Sequence, residues 1–200
     1  MKKAVLFLSF FILMIFSGLN LKSDVPSCGY GWNSAFYPDF LEVRPGVFCE
    51  VTIFYCWKYE NDQLFIHVRA VSFFDKYCLI GAEISNSDLL KKVTESVIDN
   101  STHLLNIPPC PDSNTLIQVK NFSCWKFDDT SIIPEQDLIL RPCIESIYNC
   151  ISEWSVCFDY SKSPPELVKT KISGSGTSIC PDFGVFYPDP IPVGCFHLCD

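Results

Sequence analysis

The chain has 200 residues, of which 48% are apolar and 19% charged, with a formal net charge of −8. That length fits one domain or two small ones, and that apolar share excludes a compositionally disordered chain. With 23 acidic against 15 basic residues, it lacks the basic face that neutralises phosphates, which excludes nucleic-acid binding as its main role.

The first element is a targeting segment. Lys2 and Lys3 form a short positive region, and Ala4 to Phe16 is an apolar run of about 13 residues. A bilayer span needs roughly 20 such residues, so residues 1–23 read as a secretory signal peptide. Ser23 suits the small position before a cleavage point and leaves a mature start at Asp24. Without Lys2, Lys3 and Lys22 the basic residues fall from 15 to 12 against 23 acidic ones, a net −11. No comparable apolar run follows. The mature chain is therefore not expected to span a membrane, and the expected location is secreted, periplasmic or extracellular.

Two stretches then share a pattern. Cys49 to Tyr59 and Cys150 to Tyr160 both read Cys, six residues, Cys, aromatic, charged residue, Tyr. A polar turn follows each, and then another strand-like run, Leu64 to Val68 and Leu167 to Ile172. Each copy reads as a β-hairpin. Between them, Leu89, Leu90, Val93, Val97 and Ile98 make an apolar stripe at helical spacing, with Ser87-Asp88 as the expected cap. Pro108-Pro109-Cys110-Pro111-Asp112 breaks the chain and is the best internal boundary. Strand-like runs resume over Thr115 to Trp125 and around Leu138-Ile139-Leu140. The prolines at 188, 190 and 192 cannot donate to a ladder, so the tail there reads as extended coil.

The fold class expected from these elements is mainly β (α+β). It consists of antiparallel hairpins, with scope for a sandwich-like arrangement, and one amphipathic helix near 87–99, stabilised by disulfides. The organisation read from them is a signal peptide over 1–23, an N-terminal β-hairpin plus helix module over 24–112, and a C-terminal cysteine-rich β module over 113–200. The two modules can also form one compact domain.

The strongest single signal is cysteine. All twelve lie in the mature part: Cys28, Cys49, Cys56, Cys78, Cys110, Cys124, Cys143, Cys150, Cys157, Cys180, Cys195 and Cys199. An even number at about 7% density in an exported chain is a disulfide framework of up to six bridges. A strand from Cys49 to Cys56 would hold its end Cα atoms about 23 Å apart, on opposite faces, so those two cannot pair with each other. The same holds for Cys150 and Cys157. No C-x-x-C is present, so a thioredoxin-like site has no motif.

Chemistry-bearing motifs are sparse. His67 sits between Ile66 and Val68 in a strand-like run, with no local nucleophile or carboxylate partner. His103 stands near the helix end, and His197 lies in Cys195-Phe-His-Leu-Cys199, where disulfides explain the cysteines better than a metal does. Asp128-Asp129 reads as a turn pair. No catalytic, cofactor-binding or metal residue is assigned, and no cofactor is expected. Asn100-Ser101-Thr102 and Asn121-Phe122-Ser123 match the glycosylation acceptor pattern. The remaining lead is aromatic. Trp57 and Trp125 each follow a Cys and precede a Lys. If the Cys points inward, the Trp on a strand points outward and could stack on sugar rings.

The Cys-Trp-Lys stretches, the Pro-Cys-Pro segment and the Cys-x-x-x-Cys ending together resemble uncharacterised cysteine-rich secreted proteins of Gram-negative environmental bacteria. The resemblance implies export and disulfides and carries no activity. The function expected is therefore a secreted, non-enzymatic structural, adhesive or binding role at or outside the cell surface. A cell-surface protein or a glycan would be the partner. The alternatives are a carbohydrate-binding module using exposed Trp57 and Trp125, and an extracellular hydrolase with an unrecognised site.

Overall fold

The computed structural model describes residues 27–79, 84–111, 114–129, 138–143, 149–176 and 196–197. The signal segment with its cleavage point, Cys180, Cys195, Cys199 and the proline-rich tail lie outside the described residues. The elements are β1 (Asn33–Arg44), β2 (Val47–Glu60), β3 (Gln63–Phe73), α1 (Asn86–Ser101), β4 (Thr115–Phe122), β5 (Cys124–Asp129), β6 (Leu138–Pro142), β7 (Asn149–Asp159), β8 (Glu166–Gly176) and β9 (Phe196–His197). The fold is mostly β, curled and rich in antiparallel pairing, with one α-helix among the described residues. No described helix is long and apolar enough to cross a membrane.

Turn chemistry explains the first hairpins. Pro45-Gly46 joins β1 to β2, and Gly46 takes φ +76°, which its missing Cβ permits. Asn61 and Asp62 join β2 to β3 with φ of +52° and +58°. These two residue types tolerate the left-handed region, and two such residues in a row give the twist that a tight hairpin needs. β7 and β8 form the second expected hairpin, closed by the turn after Asp159.

β3 is where the sheet divides. One edge pairs along its length with β2. On the other edge, Leu64 to His67 pair in parallel with Ile117 to Lys120 of β4, and Val71 to Phe73 pair antiparallel with Leu140 to Leu138 of β6. One arm continues as β4–β7–β8 and the other as β6–β5–β9. Arg69 is the extra residue in β3 where its register with β2 shifts. The bulge inverts the alternation of side chains. Leu64, Ile66 and Val68 reach the core before it, and Val71 and Phe73 after it. Strands from both sides of the Pro108–Asp112 break thus share one sheet.

α1 lies on the core face of this sheet. Leu89, Leu90, Val93, Val97 and Ile98 are all buried against Val51, Ile53, Ile66, Ile117 and Val119, among others. Burial of each such side chain contributes roughly 1.5–3 kcal/mol. The helix starts earlier than the sequence suggests. Ser85 is the cap, because the Asp88 backbone N–H donates to Ser85 Oγ at 3.1 Å and the Ser85 hydroxyl donates to the Asp88 carboxylate at 2.6 Å. Two further contacts fix the helix to the edge hairpin. Tyr37 Oη and Ser96 Oγ lie 2.5 Å apart, and Asn100 donates its amide to Tyr55 Oη at 3.3 Å. The Ser96 hydroxyl also donates to the Asp39 carboxylate. Burial holds the Tyr37 phenol well above its usual pKa.

Candidate functional site

The cysteines form bridges that fasten segments outside the sheet to strands. Cys28 pairs with Cys56, Cys49 with Cys78 and Cys110 with Cys157, at Cα separations of 5.7, 5.7 and 5.2 Å. Cys49 and Cys56 go to separate partners, as their spacing on one strand requires. Cys28 precedes β1, Cys78 sits in a 3-10 turn, and Cys110 follows the two prolines. The Pro108–Cys110 segment also joins β7 through its backbone, with Cys110 N–H donating to the Phe158 carbonyl at 2.9 Å and Phe158 N–H to the Pro108 carbonyl at 3.0 Å. Cys124, Cys143 and Cys150 are disulfide-bonded as well. No described cysteine is free. Closing loops of 28, 29 and 47 residues should stabilise the fold by roughly 3.5–4 kcal/mol each in the chain-entropy picture.

The tryptophans correct the outward reading. Trp125 is fully buried, its indole N–H donates to the Phe122 carbonyl at 2.6 Å, and its ring meets Phe122 edge-on at 6.2 Å. It cannot offer a face to a sugar. Trp57 is half-buried and packs against the core cluster. An outward Trp next to an inward Cys requires that only one sheet face be covered. Here both are: Cys56 is buried on the face opposite Tyr55, where the Cys28 segment crosses it. Asp128-Asp129 is likewise not a turn pair, since both residues belong to β5.

His67 lies on that second face, within the sheet division. Its ring is 4.7 Å from Phe122 and 6.3 Å from Trp32. Nη1 of Arg69 is 3.4 Å from His67 Nδ1. Arginine only donates, so Nδ1 accepts and the proton of the neutral ring sits on Nε2. Nε2 has no hydrogen-bond partner among the described residues. Burial first, and then the positive charges of Arg69 and Lys120, push the His67 pKa down to about 3. Arg69 also lies over Phe122 at 5.0 Å, and Lys58 caps Trp32 and Phe65 at 5.4 and 5.1 Å. His67 is thus a neutral wedge between rings and cations. His103 is exposed, and its Nδ1 donates to the Asn100 carbonyl at 2.5 Å. His197 pairs with Cys124 along the backbone. Among the described residues, no three His, Cys, Asp or Glu side chains gather closely enough to hold a metal ion.

Two clefts border α1. The larger, about 470 Å³, lies between the β1–β2 turn and the first turns of the helix. Glu42, Asp88 and Glu95 share its lining with Arg44, Lys91 and Lys92, and Lys92 reaches Glu42 at 3.8 Å, so its charges largely compensate each other. The smaller, about 140 Å³, opens between α1 and the β4–β7–β8 arm. Register explains its lining. Asn121 stands opposite Cys150, Val119 opposite Ser152 and Ile117 opposite Trp154, all in rows on the helix side. Lys171 and Gly174 follow from β8. The Trp154 indole donates to Ser152 Oγ at 2.9 Å. Farther along, Lys169 closes onto Asp99 at 2.7 Å and joins β8 to the helix. Sequence reading missed this cleft. The only signal at Asn121 was a glycosylation pattern, and that side chain is buried with its amide on Thr94 at 3.1 Å.

Apolar side chains also remain on the surface. Phe36, Phe40 and Phe48 are exposed on the outer face of the β1–β2 hairpin, with Phe36 resting 6.1 Å from Phe54. No protein-family model, no curated protein and no solved structure matches this chain.

Proposed function

We propose that the protein is exported and acts at or outside the cell surface as a crosslinked, non-enzymatic binding protein. The observation that carries this reading is the placement of the bridges. Each of the three ties a segment outside the sheet strands to a strand. Such staples add little to a core. They hold surface segments in one arrangement, which lowers the ordering cost of binding a partner. Disulfides of this kind persist where the surroundings are oxidising, and the leader-like residues 1–23 fit that destination.

Labelling of intact cells with a membrane-impermeant amine reagent tests the reading. The protein should be labelled without lysis, or be recovered from the medium, with no reactive thiol. Labelling that needs lysis, on protein with reactive thiols, overturns it.

A further inference from the structure

β1 is the outer strand of its hairpin, and among the described strands β2 alone pairs with it. The direction of its backbone groups follows from its neighbours. Phe74 N–H donates to the Glu50 carbonyl at 3.2 Å, so Glu50 of β2 turns its N–H and C=O to the β3 side and away from β1. Phe40 stands opposite Glu50. Residues opposed in this way in an antiparallel pair point their polar backbone groups apart, so those of Phe40 face the open edge. The same alternation turns Ser34, Phe36, Pro38 and Glu42 to that edge.

An open edge is a template for another strand. The side chains of β1 favour that outcome, because Phe36 and Phe40 are exposed and aromatic residues suit a pleated surface. The middle of the edge is nevertheless closed. Pro38 has no N–H to offer. The Phe40 N–H is already engaged, donating to Asp39 Oδ1 at 2.8 Å. Two successive outward positions therefore supply no donor to an incoming strand. A carbonyl arriving at Phe40 would meet a carboxylate, one acceptor against another. The carboxylate is held there from α1: Asp39 Oδ2 accepts from the Ser96 hydroxyl, and Tyr37 Oη lies 2.5 Å from the same hydroxyl.

We propose that Pro38 and Asp39 block the β1 edge against strand addition by a second copy of this chain. A second copy is the partner excluded, because its own β1 carries the same exposed aromatics and the same edge, and two identical edges meet self-complementarily about a twofold axis. Ser96 and Tyr37 are positioning residues that keep the Asp39 carboxylate on the Phe40 N–H. The inference goes beyond the binding role proposed above and does not depend on it.

The test is analytical sedimentation of the disulfide-intact protein and its variants over a concentration series. The native chain should sediment as a monomer. Pro38→Thr combined with Asp39→Ala restores one N–H and frees another, and should self-associate at least about tenfold more tightly than the native chain. Asp39→Ala alone should move in the same direction by less. Adding Phe36→Lys to the double variant places a charge on the outer face of β1 and should return it to monomer. Circular dichroism and the absence of reactive thiols identify folded material. Asp39→Ala keeps the proline, so it decides the matter if the double variant does not fold. A folded Asp39→Ala protein that associates no more than the native chain overturns the inference. So does association of the double variant that survives Phe36→Lys, or a native dimer that Phe36→Lys dissolves. None of these results bears on the cell-labelling outcome.

Discussion

Arg69 bulges from β3 two residues beyond His67 and directs its guanidinium to His67 Nδ1 at 3.4 Å. A cation therefore faces the histidine in place of a carboxylate, and the ring is held neutral. The folded pKa of about 3 lies below the ordinary 6.5. Between those values the unfolded chain binds a proton that the fold refuses, so stability falls as pH falls. The contribution is complete above pH 6.5 and is lost at about 1.4 kcal/mol per pH unit toward pH 3. Guanidinium unfolding at pH 7 and pH 4 should show this slope in the native protein. His67→Phe, which keeps a ring between Trp32 and Phe122, should remove most of it.

Trp125 serves the core in place of a ligand. Trp125→Ala empties a fully buried site and strips the Phe122 carbonyl of its donor. Thermal and guanidinium unfolding should record a loss of about 3–5 kcal/mol. Trp57→Ala should cost less, because that ring is half-buried. A Trp125→Ala protein of native stability would show that the indole is not packed as described.

The helix and the outer aromatics make an opposed pair. Ile98 is fully buried beneath α1, whereas Phe36 is 71% exposed. Ile98→Ala should cost about 2–4 kcal/mol through the cavity it leaves. Phe36→Ser should change stability by no more than about 0.5 kcal/mol. Equal losses in the two variants would mean that the outer face of β1 is covered.

Local periodicity made part of this fold readable. The stripe of Leu89, Leu90, Val93, Val97 and Ile98 is buried as its spacing implies, and the two Cys-to-Tyr stretches are β2 and β7 of hairpins. β1 was not legible, because Pro38 and Asp39 interrupt its pattern. Proline is tolerated there since β1 pairs with β2 alone among the described strands. The division of the sheet at β3 depends on pairings between residues about 50 to 70 positions apart, and no local signal announces them. Trp125 was misread because both faces of β5 are covered: Cys124 and Trp125 are neighbours on that strand and both are buried. The smaller cleft was hidden for the same reason as the sheet division: Asn121, Lys171 and Ser87 meet only through tertiary pairing.

Non-reducing peptide mapping of the mature protein, alkylated before any reduction, tests the covalent framework most directly. The account predicts linked peptides carrying Cys28 with Cys56, Cys49 with Cys78 and Cys110 with Cys157, and no alkylation at Cys124, Cys143 or Cys150. Recovery of those cysteines as alkylated single peptides, or in other pairs, would contradict it.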